Sequence, residues 1–488
     1  MMFDYIIIGA GTSGCVVANR LVQSLVATVL LLEAGGWDEN PQISVPGAYQ
    51  TLLGSEIDWK YKTEKEPFLL DRYIPIERGK VIGGCSSINA MVYVPGHPAD
   101  YDAWQRLGNE GWDYLSLLPF FEKLEKDPAG HLKITTPERP HILSQYYIKA
   151  TRQQASLYRT TVYDGKRCSS ADAFLRPLFN QPHFTLETDA CVSKILFDNE
   201  CAVGVVYQKN GQEIIAYAKK EIILCAGTLG SPAILMRSGI GDAEALKQLH
   251  IPLVKDLPGV GENLQDHLWV MVTYQSLLAS PPQTSNGCEV GWFTQSSCAE
   301  GIAPDLQMDT VLDLDMESLR DYGPTFSICP ILLHPKSHGR ITLHSSDHGM
   351  PPKIQMNYLE NNSDMLRLVE GIKLARSIAA SPIFDGMLKE ELIPGKDVFS
   401  EEEIQKFIRE NATTLWHPVG TCSMGNDPKK NVVDSQLNVH GLLGIRVIDA
   451  SIMPTLPSGN TQASCYLIGE KGANLIIQKE LKENSKRK

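Results

Sequence analysis

The chain has 488 residues, 43% hydrophobic and 21% charged, a balance that excludes a disordered or low-complexity polymer and suits about two to four compact units. Asp and Glu outnumber Lys and Arg by 57 to 45, for a formal net charge of −12, which argues against nonspecific nucleic-acid binding through dense basic residues. No apolar run is long enough for a bilayer span and nothing ahead of the first strand reads as a signal peptide. The 11 cysteines are scattered without a C-x-x-C pair, so neither a metal site nor a disulfide framework is expected, and a reducing, cytoplasmic location is.

In chain order, Asp4 to Ile8 predicts a short buried strand, Gly9-Ala10-Gly11-Thr12-Ser13-Gly14 a G-x-G-x-x-G turn, and Cys15 to Val22 an apolar helix. A second strand, Val29 to Leu32, ends on Glu33 and Ala34. This order is the signature of a dinucleotide site. Gly9 permits the tight turn, Gly11 lets backbone approach a pyrophosphate, and Gly14 lets helix pack on strand. The helix N-terminus, with Thr12 and Ser13, offers unpaired N–H groups to phosphate, and Glu33 can accept from ribose hydroxyls. The turn does not distinguish NAD from FAD, since both carry an ADP half.

Further on, Arg78 to Asn89 forms a small-residue loop containing Gly83-Gly84-Cys85-Ser86-Ser87. Glu221 to Gly227 reads as a buried strand entering a second glycine turn, continued by Thr228 to Gly241. Pro, Ser and Gly crowd Ala279 to Pro304, as in a surface loop, while Arg340 to His344 alternates like a half-buried strand and Met365 to Ala379 reads as an amphipathic helix. His334, His338, His344 and His348 lack ligand spacing and are expected at the surface. Cys15, Cys85, Cys225, Cys422 and Cys465 sit among small residues and read as buried thiols. Near the end come Trp416-His417-Pro418-Val419-Gly420-Thr421, a strand over Ile445 to Ala450, Pro457-Ser458-Gly459-Asn460-Thr461-Gln462, and a closing helix over Gly469 to Gln478. Lys482 to Lys488 reads as a frayed, solvated tail. Alone, His417 before a proline would be structural and Asn460 a turn residue; their company suggests otherwise.

Together with the N-terminal turn and Gly259-Val260-Gly261-Glu262-Asn263-Leu264-Gln265-Asp266-His267, these stretches resemble the glucose–methanol–choline (GMC) oxidoreductases, a family of FAD enzymes, nearly end to end. The resemblance implies that His417 is the active-site histidine and Asn460 its partner. It implies a cofactor, FAD, held by Gly9, Gly11, Thr12, Ser13, Gly14, Glu33, Ala34, Val81, Gly84, Asn89, Ala90, Met91, Val92, Val192, Ala226, Gly227, Trp416, Asp449, Ala450, Thr461 and Gln462. Ile88 stands where some relatives attach the flavin through a histidine, so noncovalent binding is expected. Cys85 departs slightly from the usual small residue, and the role of His267 stays open.

The fold class expected is α/β: a Rossmann-type FAD-binding domain built from discontinuous segments (1–145, 181–270 and 406–488). A cap segment (146–180) and an inserted α+β substrate-binding domain of antiparallel sheet plus helices (271–405) complete it. The implied reaction is oxidation of a small-molecule alcohol to an aldehyde or ketone by hydride transfer to flavin N5. His417 is then the general base, and oxygen or another molecule the electron acceptor. A hydroxynitrile lyase, a light-driven fatty-acid decarboxylase and a noncatalytic flavin binder are the alternatives. The stretch from Gly130 to Arg167 reads as shorter than in most relatives, and with a compact Ala279 to Pro304 region this points to a more open or differently roofed pocket.

Overall fold

Two sheets organise the molecule in the computed structural model, which describes residues 1–126, 131–314 and 316–487. The first takes the strands Phe184–Glu187, Val29–Leu32, Met2–Ile8, Gln212–Leu224, Cys201–Lys209 and Cys191–Asp198 in spatial order, with Ile445–Val447 also pairing along Gln212–Leu224. Its core is parallel and continuously apolar, as expected where helices cover both faces. The register brings the strand ends level: Ile8 lies opposite both Leu32 and Leu224, and Leu224 opposite Val447. Gly9, Glu33, Cys225 and Ile448 therefore all leave the sheet at one edge, the carboxyl ends where ligands of such sheets bind.

The turn after the first strand is built as its glycines require. Gly9 has φ +102°, and a Cβ there would stand 2.4 Å from the Cys225 carbonyl oxygen. A Cβ on Gly14 would lie 1.9 Å from the Gly9 carbonyl oxygen, so only glycine lets the Thr12–Ser24 helix sit this close. That helix packs against the closing helix, Gln462–Arg487, where Arg20 Nε donates to Glu470 at 2.6 Å inside the core.

The second sheet, mostly antiparallel, orders Leu388–Ile393, Val272–Ser276, Thr325–Leu332, Leu306–Leu312, Val290–Thr294 and Ser156–Leu157. Its two central strands are buried at every residue, and the Asn362–Ala379 helix packs on them. Leu268–Trp269 joins both Thr325–Leu332 and Thr413–Thr414, which ties the sheet to the segment carrying His417.

Several elements differ from expectation. The closing helix starts at Gln462, not Gly469: a Cβ at Gly469 would meet Val16 and Ser13 near 3 Å, so that glycine is a packing residue inside the helix. The helix also runs on through Arg487, so the exposed Lys482 to Lys486 segment is helical rather than frayed; Lys488 lies outside the described residues, as does Gly130 of the stretch expected to be shorter. Ala279 to Pro304 is not a plain surface loop, since it contains the Val290–Thr294 strand and buries Asn286 to Gly291. The strand at Arg340 ends at Thr342 and pairs with Lys353–Gln355. No helix among the described residues is long and apolar enough to cross a membrane.

Candidate active site

A cavity of about 850 Å³ opens at the carboxyl edge of the first sheet and runs to the second. The helix N-terminus behind Gly11 points into it with no side-chain cap and no acidic residue in its first turn, so its N–H groups remain available to an anion. A Cβ on Gly11 would meet nothing within 4 Å, so no protein neighbour demands glycine there; the open space lies on the cavity side. Glu33, buried, accepts from the backbone N–H of Ala10 and Gly35, both at 2.9 Å, and burial pushes it up to about 7. Arg237 Nε and Trp269 Nε1, on the cavity wall, are buried donors without a hydrogen-bond partner among the described residues. An uncapped helix end, a ribose-reaching carboxylate and orphaned donors along one elongated cavity fit a large phosphorylated dinucleotide.

Of the expected cofactor residues, Gly9, Gly11, Thr12, Ser13, Glu33, Ala34, Gly84, Asn89, Ala90, Met91, Val92, Val192, Ala226, Gly227, Trp416, Asp449, Ala450, Thr461 and Gln462 line the cavity. Gly14 and Val81 do not: Gly14 packs behind the turn, and Val81, fully buried, bridges to Gly36. Ile88 lines it with a hydrocarbon side chain. Met91 and Trp416 hold φ near +60°, uncommon for side-chain-bearing residues and frequent where a site fixes its backbone. Asn89 Oδ1 accepts from the Met91 N–H at 3.0 Å, and the Trp416 carbonyl from Arg78 at 2.7 Å. Asp449, buried, accepts from the Gly227 N–H and from Ser231, joining the second glycine turn to the C-terminal segment.

At the far end, His417 and Asn460 come together from either side of a 43-residue separation: Asn460 Nδ2 stands 3.4 Å from His417 Nε2. Gln307 Nε2 donates to Asn460 Oδ1 at 3.3 Å, which turns the amide N–H toward the histidine. Gln307 is itself held by Asp309 Oδ1 and the Tyr158 hydroxyl, both at 2.8 Å. The His417 backbone N–H donates to Asp266 Oδ1 at 2.8 Å, while Tyr358 and Thr414 donate to Oδ2 of the same carboxylate. His417 Nδ1 meets His267 Nδ1 at 2.9 Å. Burial first, then His267 and Arg78, hold His417 well below the ordinary imidazole value, so its neutral, proton-accepting form prevails.

Sequence reading missed Asp309, Gln307 and Tyr158, because ordinary residues on or beside sheet strands carry no motif. Two cysteines expected to be buried, Cys85 and Cys465, are half-buried on the cavity wall, while Cys15, Cys225 and Cys422 are buried as expected. Of the histidines expected at the surface, His338 and His344 are exposed, while His334 and His348 are half-buried. His334 is half-buried and contacts Ser458 at 3.0 Å, and His344 and His348 line the cavity. No cluster able to hold a metal occurs among the described residues.

The family profile of GMC oxidoreductases matches residues 3–269 with its N-terminal part and 335–469 with its C-terminal part. The chain belongs to the GMC oxidoreductase family. An alcohol dehydrogenase (acceptor) of Pseudomonas putida is 39% identical to this GMC protein, covering 98% of it and 96% of the relative. An oxygen-dependent choline dehydrogenase of Chromohalobacter salexigens is 37% identical, covering 98% and 95%. The first pairing extends over 534 positions, more than this chain has residues, so the relative carries insertions absent here. Among solved structures, pyridoxine 4-oxidase from Mesorbium loti is 30% identical with a TM-score of 0.90, covering 96% of this chain and 98% of that one. A formate oxidase of Aspergillus oryzae is 26% identical, also with a TM-score of 0.90, covering 99% of each. The GMC protein is an FAD-dependent oxidoreductase that acts on alcohols, with a Rossmann-type fold and a substrate-binding sheet.

Proposed function

We propose that this enzyme oxidises the carbinol carbon of a small alcohol, with His417 accepting the hydroxyl proton at Nε2 and Asn460 donating through Nδ2–H to the same oxygen. The single observation that carries this is the Nδ2–Nε2 approach of 3.4 Å on the cavity wall: an alcohol oxygen placed against both groups meets an acceptor and a donor together. An alcohol is a very weak acid, so a neutral imidazole serves it better than a protonated one. Asn460 stabilises developing alkoxide without ionising, and Gln307, Asp309 and Tyr158 keep its amide aimed. Bound FAD would supply the acceptor for the hydride leaving the carbon.

For the cofactor we propose noncovalent contacts along the cavity-lining residues above, with Gly14 and Val81 supporting them from behind. The chain divides on this reading into the three FAD-binding segments, the cap and the 271–405 substrate domain. All 11 cysteines are free thiols, which suits a reducing, cytoplasmic location. The Asp309 carboxylate lines the cavity, its hydrogen bonds come from neutral Tyr158 and Gln307, and burial pushes it up to about 7. With the named activity of the choline dehydrogenase relative, this favours an alcohol that also carries a cationic nitrogen.

Anaerobic mixing of the holoenzyme with a panel of neutral and amino alcohols tests the proposal. Flavin bleaching is expected, and His417→Ala should slow it by about 10² to 10⁴, the worth of a positioned base. Asn460→Ala should cost about 1.5 to 4 kcal/mol of transition-state stabilisation. A flavin-loaded His417→Ala variant bleached at the wild-type rate would exclude His417 as the base. Cyanohydrin cleavage, or hydrocarbon release from a fatty acid under light, without any alcohol-driven bleaching would replace alcohol oxidation by one of the other chemistries of the family. Reoxidation with oxygen or with an artificial acceptor then separates oxidase from dehydrogenase.

A further inference from the structure

His267 is fully buried and its ring makes two polar contacts among the described residues. Nε2 lies 3.0 Å from the Leu333 carbonyl oxygen, and Nδ1 lies 2.9 Å from Nδ1 of His417. A carbonyl oxygen can only accept, so a proton must sit on His267 Nε2; otherwise two lone pairs would face each other in a dry interior. Burial, with His334 nearby, pushes His267 down to about 3, so the ring is neutral and its Nδ1 is bare. Two bare nitrogens cannot share a 2.9 Å contact. The proton between them therefore belongs to Nδ1 of His417, and neutral His417 is left with a bare Nε2, the atom that faces Asn460.

The backbone makes this chain of constraints rigid. Leu268–Trp269 pairs with both the strand that ends at Leu332 and the Thr413–Thr414 bridge, and the Leu415 N–H donates to the His267 carbonyl at 2.8 Å. Leu333, His267 and His417 thus hang from one hydrogen-bonded ladder. The neighbouring Asp266 grips His417 at its backbone N–H, so one dipeptide fixes both the place and the ring of His417.

On the reading that His417 is the proton acceptor, we infer that His267 is a positioning residue that sets the His417 tautomer, with the Leu333 carbonyl dictating, through two imidazoles, which nitrogen of His417 is free to take the substrate proton. No charge enters the relay at rest. When Nε2 takes the proton, Nδ1–H keeps its bond to His267, so the imidazolium is met by a neutral acceptor and not trapped by a carboxylate.

The test is ¹⁵N NMR of the holoenzyme labelled at histidine, with the two signals assigned from His417→Ala and His267→Asn. The expected spectrum has His417 protonated at Nδ1 and bare at Nε2, and His267 the reverse. A proton on Nε2 of His417, or on Nδ1 of His267, overturns the inference whatever the activity. In kinetics, His267→Leu removes the acceptor while His267→Asn restores an amide oxygen near the Nδ1 position. Among flavin-loaded proteins, the Leu variant should slow alcohol-driven flavin reduction by at least about tenfold with KM nearly unchanged, and the Asn variant should recover most of that loss. Equal rates in wild type and the Leu variant, or an Asn variant no faster than Leu, count against it. If His417→Ala itself reduces at the wild-type rate, the base assignment falls, while the tautomer spectrum still decides the relay.

Discussion

His417 gains its chemistry from what surrounds it more than from what it is. Removal from water is the largest influence lowering its proton affinity, and the His267 ring and the Arg78 guanidinium add to it. Because the neutral form is the active one, a lowered pKa moves the acid limb of the rate profile downward. With a saturating neutral alcohol, whose binding does not use the Asp309 charge, flavin reduction should stay flat as pH falls through the ordinary imidazole range near 6.5 and decline only below it, as stopped-flow reduction across pH would record. Arg78 also donates to the Trp416 carbonyl and lines the cavity. Arg78→Met removes a nearby positive charge, so the limb should climb back toward higher pH, by up to about one unit. A wild-type limb at or above the free-imidazole value would show that the interior wets His417 more than its packing implies. At the same scale, Asp309→Asn keeps an oxygen that can accept from Gln307 and Tyr158 but removes the charge, so KM should rise more for cationic than for neutral alcohols, by roughly 1 to 3 kcal/mol for the charge contact alone, as steady-state kinetics with matched alcohol pairs would show.

At the scale of the element, the first glycine turn separates packing from binding. Gly14→Ala drives a methyl into the Gly9 carbonyl oxygen, at 1.9 Å, with backbone on both sides and nothing flexible to yield. That variant should lose the helix docking and with it soluble expression or cooperative melting. Gly11→Ala places its methyl in open space on the cavity side, so circular dichroism and melting of the apoprotein should match wild type while FAD affinity falls by at least about tenfold through the lost backbone approach. If both variants fold and both bind FAD, the turn is not the phosphate site. This element was readable from sequence because its constraint is local: strand, glycine, helix and acid follow one another within 33 residues. Elements shaped by distant partners were not. The closing helix begins seven residues before Gly469, which looks like a terminus in the sequence although it packs against Val16 inside the helix. Val290–Thr294 hid among Pro, Ser and Gly because its strand character comes from its pairing with Leu306–Leu312. His417 and Asn460 were legible through their flanking motifs. His267 could be noticed but not interpreted, since its partner lies 150 residues away and the deciding atom is a backbone oxygen.

Across the whole molecule, the cavity collects residues 11–13, 32–34, 77–80, 88–92, 190–192, 225–230, 415–418, 449–450 and 460–462, pieces that share no short stretch of chain. A ligand filling it contacts all of them at once, so FAD binding is also folding free energy. Protein contacts reinforce the same joints. Glu66 accepts from the N–H groups of Met356 and Tyr358, Tyr358 donates to Asp266, and Ser458 donates to Asp100. The bonds of Glu66 and Tyr358 tie segments 1–145 and 181–270 to segment 271–405, that of Ser458 joins 1–145 to 406–488, and we expect the whole to melt together. At a free FAD concentration of 100 times Kd, binding adds about 2.7 kcal/mol of stability. Spread over one cooperative unit of this length, with roughly 2 cal/mol/K of unfolding entropy per residue, that raises Tm by about 3 °C. Calorimetry of apoprotein titrated with FAD measures it directly. One transition moving as a whole by about that amount matches a single unit, whereas a larger shift of one transition beside a second that ignores FAD would show that the 271–405 sheet unfolds alone.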